Sequence, residues 1–284
     1  MFDEMKVSRV RVTTLSDNIA REGFEAEWGF SLLVEADGNR LLFDTGASPL
    51  TVGNALKAGA NLAGIGLIVL SHGHYDHTGG LLAVLRATGP ATVVAHPSIW
   101  EAKYALHSGE QKPRSIGLPF SRTSLEKEGA TFRLSSGPII LSPNITTTGE
   151  IPLVSGFEKV DDSLLVGQGS ILGTDSMPDD QALIIDTYSG LVVILGCAHR
   201  GVINTLTHAC RLTGDSKILA VIGGMHLLRA QEERVERAVT GLKAMGIQRL
   251  IVSHCTGTRA SERLKQEFGE CCVFNSVGSR FELP

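Results

Sequence analysis

Short apolar runs separated by turn residues dominate the chain, and they alternate between strand-like and helix-like periods. Val7 to Leu15 intersperses valines with Ser8, Arg9 and Arg11, the pattern of a half-buried strand. Trp28 to Glu35 and Arg40 to Asp44 predict two more strands, joined by a hairpin turn at Ala36-Asp-Gly-Asn39. Leu50 to Ala58 predicts a helix. Ile65 to Leu70 is β-branched and apolar throughout, as a buried strand is, and Leu81 to Arg86 predicts a helix entered through Thr78 and two glycines. Ala91 to His96 is a further buried strand.

Regularity then lapses from Trp100 to about Leu153, where Gly, Pro and scattered cations such as Lys103 and Arg114 replace any apolar period. The stretch reads as an insertion of about 100–153 that covers a site, not as a unit with its own core. Gln181 to Thr187 and Leu191 to Leu195 predict a hairpin around Tyr188-Ser-Gly190. A helix follows at Val202 to Leu212, then a strand at Ile218 to Ile222. Val235, Ala238, Val239, Leu242 and Met245 fall on one face of the next helix. Leu250 to Ser253 predicts the last buried strand, followed by a charged helix to Phe268 and an edge strand from Val273 to Phe281. Strands alternating with helices define an α/β protein. The 284 residues, 43% of them hydrophobic, read as a single domain over 1–284.

Composition excludes little but narrows the setting. A net charge of −4 without basic runs gives no electrostatic footprint for nucleic acid. No apolar run reaches the length of a membrane span. Met1-Phe-Asp-Glu-Met-Lys6 lacks the basic end and apolar core of a signal peptide, so the expected location is cytoplasmic, with no membrane partner. Five irregularly spaced cysteines argue against a disulfide framework.

The chemistry concentrates between Leu70 and Gly80. His72, His74, Asp76 and His77 fall within six consecutive positions shortly after the buried strand. His72 and His74 are two apart, so an extended segment points both imidazoles the same way, toward one cation. Asp76 and His77 follow as the chain turns and can face a second. Two adjacent cations suit hydrolysis of esters, amides and phosphates. His199, His226 and His254 also follow apolar strands, so six of the nine histidines are expected at one edge of the fold. His96, His107 and His208 match no such pattern and read as structural or surface residues.

His72-x-His74-x-Asp76-His77 resembles the signature loop of the metallo-β-lactamase superfamily. The resemblance implies a four-layer αββα sandwich with a metal site at one edge of its two sheets. It also implies that His72, His74 and His199 bind one divalent metal ion, and Asp76, His77 and His254 a second. The metals could be zinc, iron or manganese. Asp44, in Asp44-Thr-Gly46, corresponds to a residue that supports the metal loop from behind. One departure is clear: the family's bridging Asp is missing from the strand before His254, since Asp215 precedes its strand, and His226 stands in the expected place. His226 is therefore either a terminal ligand or a substrate-binding group. Loss of that carboxylate raises the positive charge of the site and favours anionic substrates.

Gly196-Cys-Ala-His199-Arg-Gly, Gly223-Gly-Met-His226 and Ser253-His-Cys-Thr-Gly257 further resemble the branch of 7,8-dihydropterin-6-methyl-4-(β-D-ribofuranosyl)aminobenzene-5′-phosphate synthases. That likeness implies a phosphate-displacing transferase, or a hydrolase, acting on a small phosphorylated substrate, with Asp76 and His226 as catalytic candidates. Arg200, Lys159 and His226 are candidate substrate contacts. The alternative is an iron-binding redox or electron-transfer protein in the same pocket. Cys197 and Cys255 read as small packing residues beside the site.

Overall fold

The computed structural model describes residues 6–169 and 171–284; the Met1–Met5 part of the signal-peptide reading lies outside them. Two seven-stranded sheets face each other. The first runs, in spatial order, Arg280–Leu283, Val10–Ser16, Ser31–Ala36, Asn39–Phe43, Leu67–Val69, Ala91–Ala95 and Ala130–Leu134. The second runs Cys272–Phe274, Arg249–Val252, Ile218–Gly223, Gly190–Leu195, Ala182–Thr187, Ile145–Thr147 and Ile140–Ser142.

Strand alternation sorts the apolar side chains into three layers. Leu32, Val34, Leu183, Ile185, Val192 and Ile194 meet between the sheets. Their neighbours point outward: Leu33 and Ile68 pack beneath the helices Leu50–Lys57 and Leu81–Thr88. On the other side Ile184, Leu191 and Val193 pack beneath Val202–Thr213, Glu232–Ala244 and Thr258–Phe268. Both faces of each sheet are thus covered, as near-continuous apolar strands require. The result is the four-layer αββα sandwich.

Two readings of the sequence need correction. Residues 100–153 are not one insertion: Ala130–Leu134 pairs parallel to Ala91–Ala95, and Ile140–Ser142 and Ile145–Thr147 extend the second sheet. Ala130–Leu134 is an edge strand buried only in part, so its apolar signal is weak. Only Lys103–Ala105 and Arg114–Ser115 leave the sandwich, joining Leu164–Gln168 and Ile171–Thr174 in a small four-stranded sheet. The predicted strand Val273–Phe281 is likewise two strands on different sheets. Cys272–Phe274 pairs with Arg249–Val252, and Arg280–Leu283 with Val10–Ser16.

Parallel pairing positions the site. Asn39–Phe43 runs parallel to Leu67–Val69, and Gly190–Leu195, Ile218–Gly223 and Arg249–Val252 run parallel in the opposite sheet. The loops that leave their C-terminal ends carry the candidate residues to one edge.

Candidate metal centre

At four of these strand ends the backbone turns through the left-handed region without glycine: Asp44 (φ 59°), Ala198 (51°), His226 (47°) and His254 (52°). Such turns are costly for side-chain-bearing residues and concentrate at functional sites. Gly196 is needed for another reason. A Cβ there would meet the Ser71 Oγ at 2.1 Å, so any side chain would displace Ser71.

Ser71 and Asp44 fix the orientation of the loop that follows. The buried Asp44 accepts from Ser71 N, Ser71 Oγ and His77 Nδ1, each at 2.7 Å. Because the Ser71 hydroxyl proton is given to Asp44, its oxygen accepts from His72 Nδ1 at 2.9 Å. His72 therefore carries its proton on Nδ1 and presents a bare Nε2, while His77 donates from Nδ1 to Asp44 and turns its Nε2 toward the same space. The sequence assigned Asp44 to this supporting position, and the contacts are those of an orienting residue.

The presented nitrogens crowd together. His72 Nε2 is 3.0 Å from His74 Nδ1 and 3.2 Å from His199 Nε2. Two nitrogens on one tetrahedral cation stand about 3.3 Å apart, so His72, His74 and His199 have the spacing of a shared metal position. On the other side, Asp76 Oδ2 lies 3.3 Å from His254 Nε2 and 3.8 Å from His77 Nε2. His254 Nδ1 is taken by Asn18 Oδ1 at 3.0 Å. Its Nε2 is buried without a hydrogen-bond partner. An orphaned buried nitrogen implies an absent partner. The chemistry and spacing of these donors therefore fit a divalent metal centre.

The electrostatic surroundings of these groups differ. Burial drives the pKa values of His72 and His199 well below the ordinary imidazole value, and that of His74 to about 3. These rings are neutral at pH 7, as ligation requires. Burial alone would depress His77 too, but Asp44 and Asp76 outweigh it and raise it to about 9. The Asp76 carboxyl, pushed up by burial, is pulled further down by His77 and His254, well below the usual carboxylate range.

His226 lies beside His199 and faces Asp161. Its ring lies 4.2 Å from that of His199 and its Nε2 is 3.9 Å from Asp161 Oδ2. Asp161 helps to raise His226 to about 9, against the effect of burial. Its Nδ1 is buried and has no hydrogen-bond partner.

Of these groups His74, Asp76, His199, His226 and His254 line the floor of a cavity of about 900 Å3. Trp28, Ile116, Val160, Leu164 and Leu228 give it apolar walls, and Arg114, Arg229 and Arg234 line it with positive charge. Arg200 and Lys159, the cations expected from the sequence, are not among the lining residues. Arg200 is committed to the Ile151 and Ser176 carbonyls at 2.5 and 2.8 Å, because its neighbour His199 already turns into the cavity. His107, read as structural or surface, does line it, whereas His96 and His208 are bonded to Glu150 and the Thr148 carbonyl.

Sequence reasoning also missed a buried clamp. Lys103, only 1% exposed, donates to Asp175 at 2.7 Å and Asp179 at 2.9 Å. The other oxygen of Asp179 accepts from Gly73 N at 2.8 Å, between His72 and His74. Replacing Lys103 with Met strands two buried carboxylates and is expected to destabilise the protein by about 3–5 kcal/mol in urea unfolding. A loss below about 1 kcal/mol would show that the clamp is dispensable.

Asp17 offers a test against pH. It accepts from His254 N at 3.1 Å, and burial pushes its carboxyl up to about 7 despite the nearby His254. Its folded pKa lies above the unfolded one, so its stabilising contribution is complete at low pH. That contribution is lost as pH rises through about 7. Asn at position 17 cannot ionise. After chelation, the Asp17→Asn variant should gain stability relative to the parent between about pH 5 and about pH 8, on the order of a few kcal/mol. A difference independent of pH would refute the burial argument.

Fold and donor set together define the class: the chain belongs to the metallo-β-lactamase superfamily, and residues 29–154 match that family directly. A 7,8-dihydropterin-6-methyl-4-(β-D-ribofuranosyl)-aminobenzene-5′-phosphate synthase of Methanocaldococcus jannaschii is 31% identical over 277 residues, spanning 93% of this chain and 94% of that protein. Among solved structures, Tm1679, described as a metal-dependent hydrolase of the β-lactamase superfamily, superposes with a TM-score of 0.84 at 30% identity, over 96% of this chain and 99% of that one. Zinc-bound PqqB from Methylobacterium extorquens, at 14% identity and a TM-score of 0.56 over 96% of this chain and 100% of that one, shares the fold. Among the described residues no helix is long and apolar enough to cross a membrane.

Proposed function

We propose that the protein is a metal-dependent enzyme that displaces or hydrolyses phosphate on a small anionic substrate. The observation that carries this reading is the opening of the clustered histidines and Asp76 onto a cavity lined by three arginines. His72, His74 and His199 would hold one divalent cation, and Asp76, His77 and His254 the other. When bound, the cations would neutralise charge on a departing phosphate and acidify water.

The remaining roles belong to the chain. Arg114, Arg229 and Arg234 suit the anionic end of a substrate. The apolar wall containing Trp28, Ile116 and Leu228 suits a flat ring, as in a pterin or an aminobenzene. His226 holds a proton on the cavity floor, with Asp161 favouring the charged ring, and is placed to bind a phosphate oxygen or protonate a leaving oxygen. We assign it to substrate and not to a metal, because Asp161 engages its Nε2 side. The resemblance to the pterin-linked synthases supports a reaction joining a pterin to a ribofuranosylaminobenzene phosphate with loss of pyrophosphate. A small-molecule partner and a cytoplasmic setting follow from the same reading.

The test begins with elemental analysis and an absorption spectrum of protein purified without added metal. Two zinc or manganese ions per chain, no colour, and chelator-sensitive release of phosphate or pyrophosphate from pterin precursors or phosphoesters are expected. The iron redox reading draws on the two thiols beside the donor sets. Stoichiometric iron with a visible band that bleaches on reduction would put that reading first.

A further inference from the structure

Three groups of donor side chains converge tightly enough to hold an ion: His72, Cys197 and His199; His77, Cys197 and His254; and Cys197, His226 and Cys255. Cys197 belongs to all three. We infer that the Cys197 Sγ is itself a metal ligand, a thiolate placed between the two histidine sets and able to serve either or both cations. The inference rests on the metal-centre reading above and extends it to a residue outside the expected ligand set.

The geometry separates a ligand from a packing residue. Cys197 is 3% exposed, and its Sγ lies 3.2 Å from His77 Nε2, the nitrogen that the Nδ1–Asp44 contact turns toward the site. Donors about 2.0 Å (nitrogen) and 2.3 Å (sulfur) from one tetrahedral cation stand about 3.5 Å apart, close to the observed spacing. His254, in the same group, contributes a buried Nε2 with no hydrogen-bond partner. Cys255 is placed differently. Its Sγ accepts from His226 N at 3.3 Å and donates to the Cys197 carbonyl at 3.6 Å, and it belongs to the third donor group alone.

Two elements deliver the sulfur to this point. The strand Gly190–Leu195 ends just before it, and Ala198 in the left-handed region turns the next residue, His199, toward His72. The loop thus supplies a sulfur and a nitrogen from positions two apart. On ligation the thiol proton is released to solvent as the sulfur–metal bond forms, so uptake of metal should release a proton from this residue.

The experiment is cobalt(II) substitution of the full chain, read by absorption, together with X-ray absorption of the zinc-loaded protein. We expect a near-ultraviolet sulfur-to-cobalt charge-transfer band and a sulfur scatterer at about 2.3 Å from zinc. Both should persist in Cys255→Ser and Cys210→Ser and disappear in Cys197→Ser. Bound metal with only nitrogen and oxygen neighbours in the parent protein would overturn the inference while leaving the metal centre standing. A band retained in Cys197→Ser or lost in Cys255→Ser would overturn it as well. Absence of any bound metal would remove both the inference and the reading beneath it. Should Cys197→Ser fail to fold, the parent and Cys255→Ser spectra still decide the matter, since Cys197 is then the only thiol of the three donor groups left to supply the sulfur.

Discussion

His72→Ala should leave the protein unable to retain its metal and without measurable turnover. His72 Nε2 is the hub of one half of the site, within 3.2 Å of nitrogens from both His74 and His199. Its other nitrogen is tied through Ser71 to Asp44, so removal of the ring also leaves Ser71 Oγ without that donor. Loss of a partner behind a ligand lowers metal affinity about 10–100-fold, and loss of the ligand itself should exceed that range. Equilibrium dialysis against a metal buffer measures the effect, and circular dichroism checks the fold. Undiminished metal content would mean that the centre lies elsewhere. His74→Ala should behave similarly.

The second large effect separates metal binding from chemistry. His226→Ala should keep its metal while kcat falls about 100- to 10,000-fold, the span attributed to a positioned proton donor or acceptor. The expectation follows from its place beside Asp161, 3.9 Å away, and from its position on the cavity floor. Metal analysis and steady-state rates on the phosphorylated substrate identified by screening provide both readouts. Parallel loss of metal would make His226 a ligand instead.

Much of this site was legible because its parts are local. His72 to His77 lie in one short loop after an apolar strand, and each later histidine follows a strand whose period is unmistakable. Asp44 was legible for the same reason, at the end of Asn39–Phe43. Groups assembled by long-range packing were not. Lys103 looked like one surface cation among several, and its partners Asp175 and Asp179 lie more than seventy residues away. Asp161 belongs to a loop whose sequence carries no periodic signal, and Arg234 sits in the first turn of Glu232–Ala244, off the apolar face that made that helix legible. Arg200 was misjudged because adjacency to His199 suggests a shared direction, whereas the backbone turns the two side chains apart. Ala130–Leu134 was missed because an edge strand needs apolar residues on one side only.

The buried ammonium of Lys103 has one more consequence. Lys103 starts a strand of the small sheet that walls the cavity, and through Asp179 it also holds the amide of Gly73 in the histidine loop. The cavity wall and the histidine loop therefore share a single hinge-pin. A different wall grafted from a relative would misalign the histidines unless Lys103, Asp175 and Asp179 travelled with it. Substrate range in this scaffold can drift freely at the cavity rim, at Arg114 or Arg229, but a wholesale change of wall must carry its own anchor.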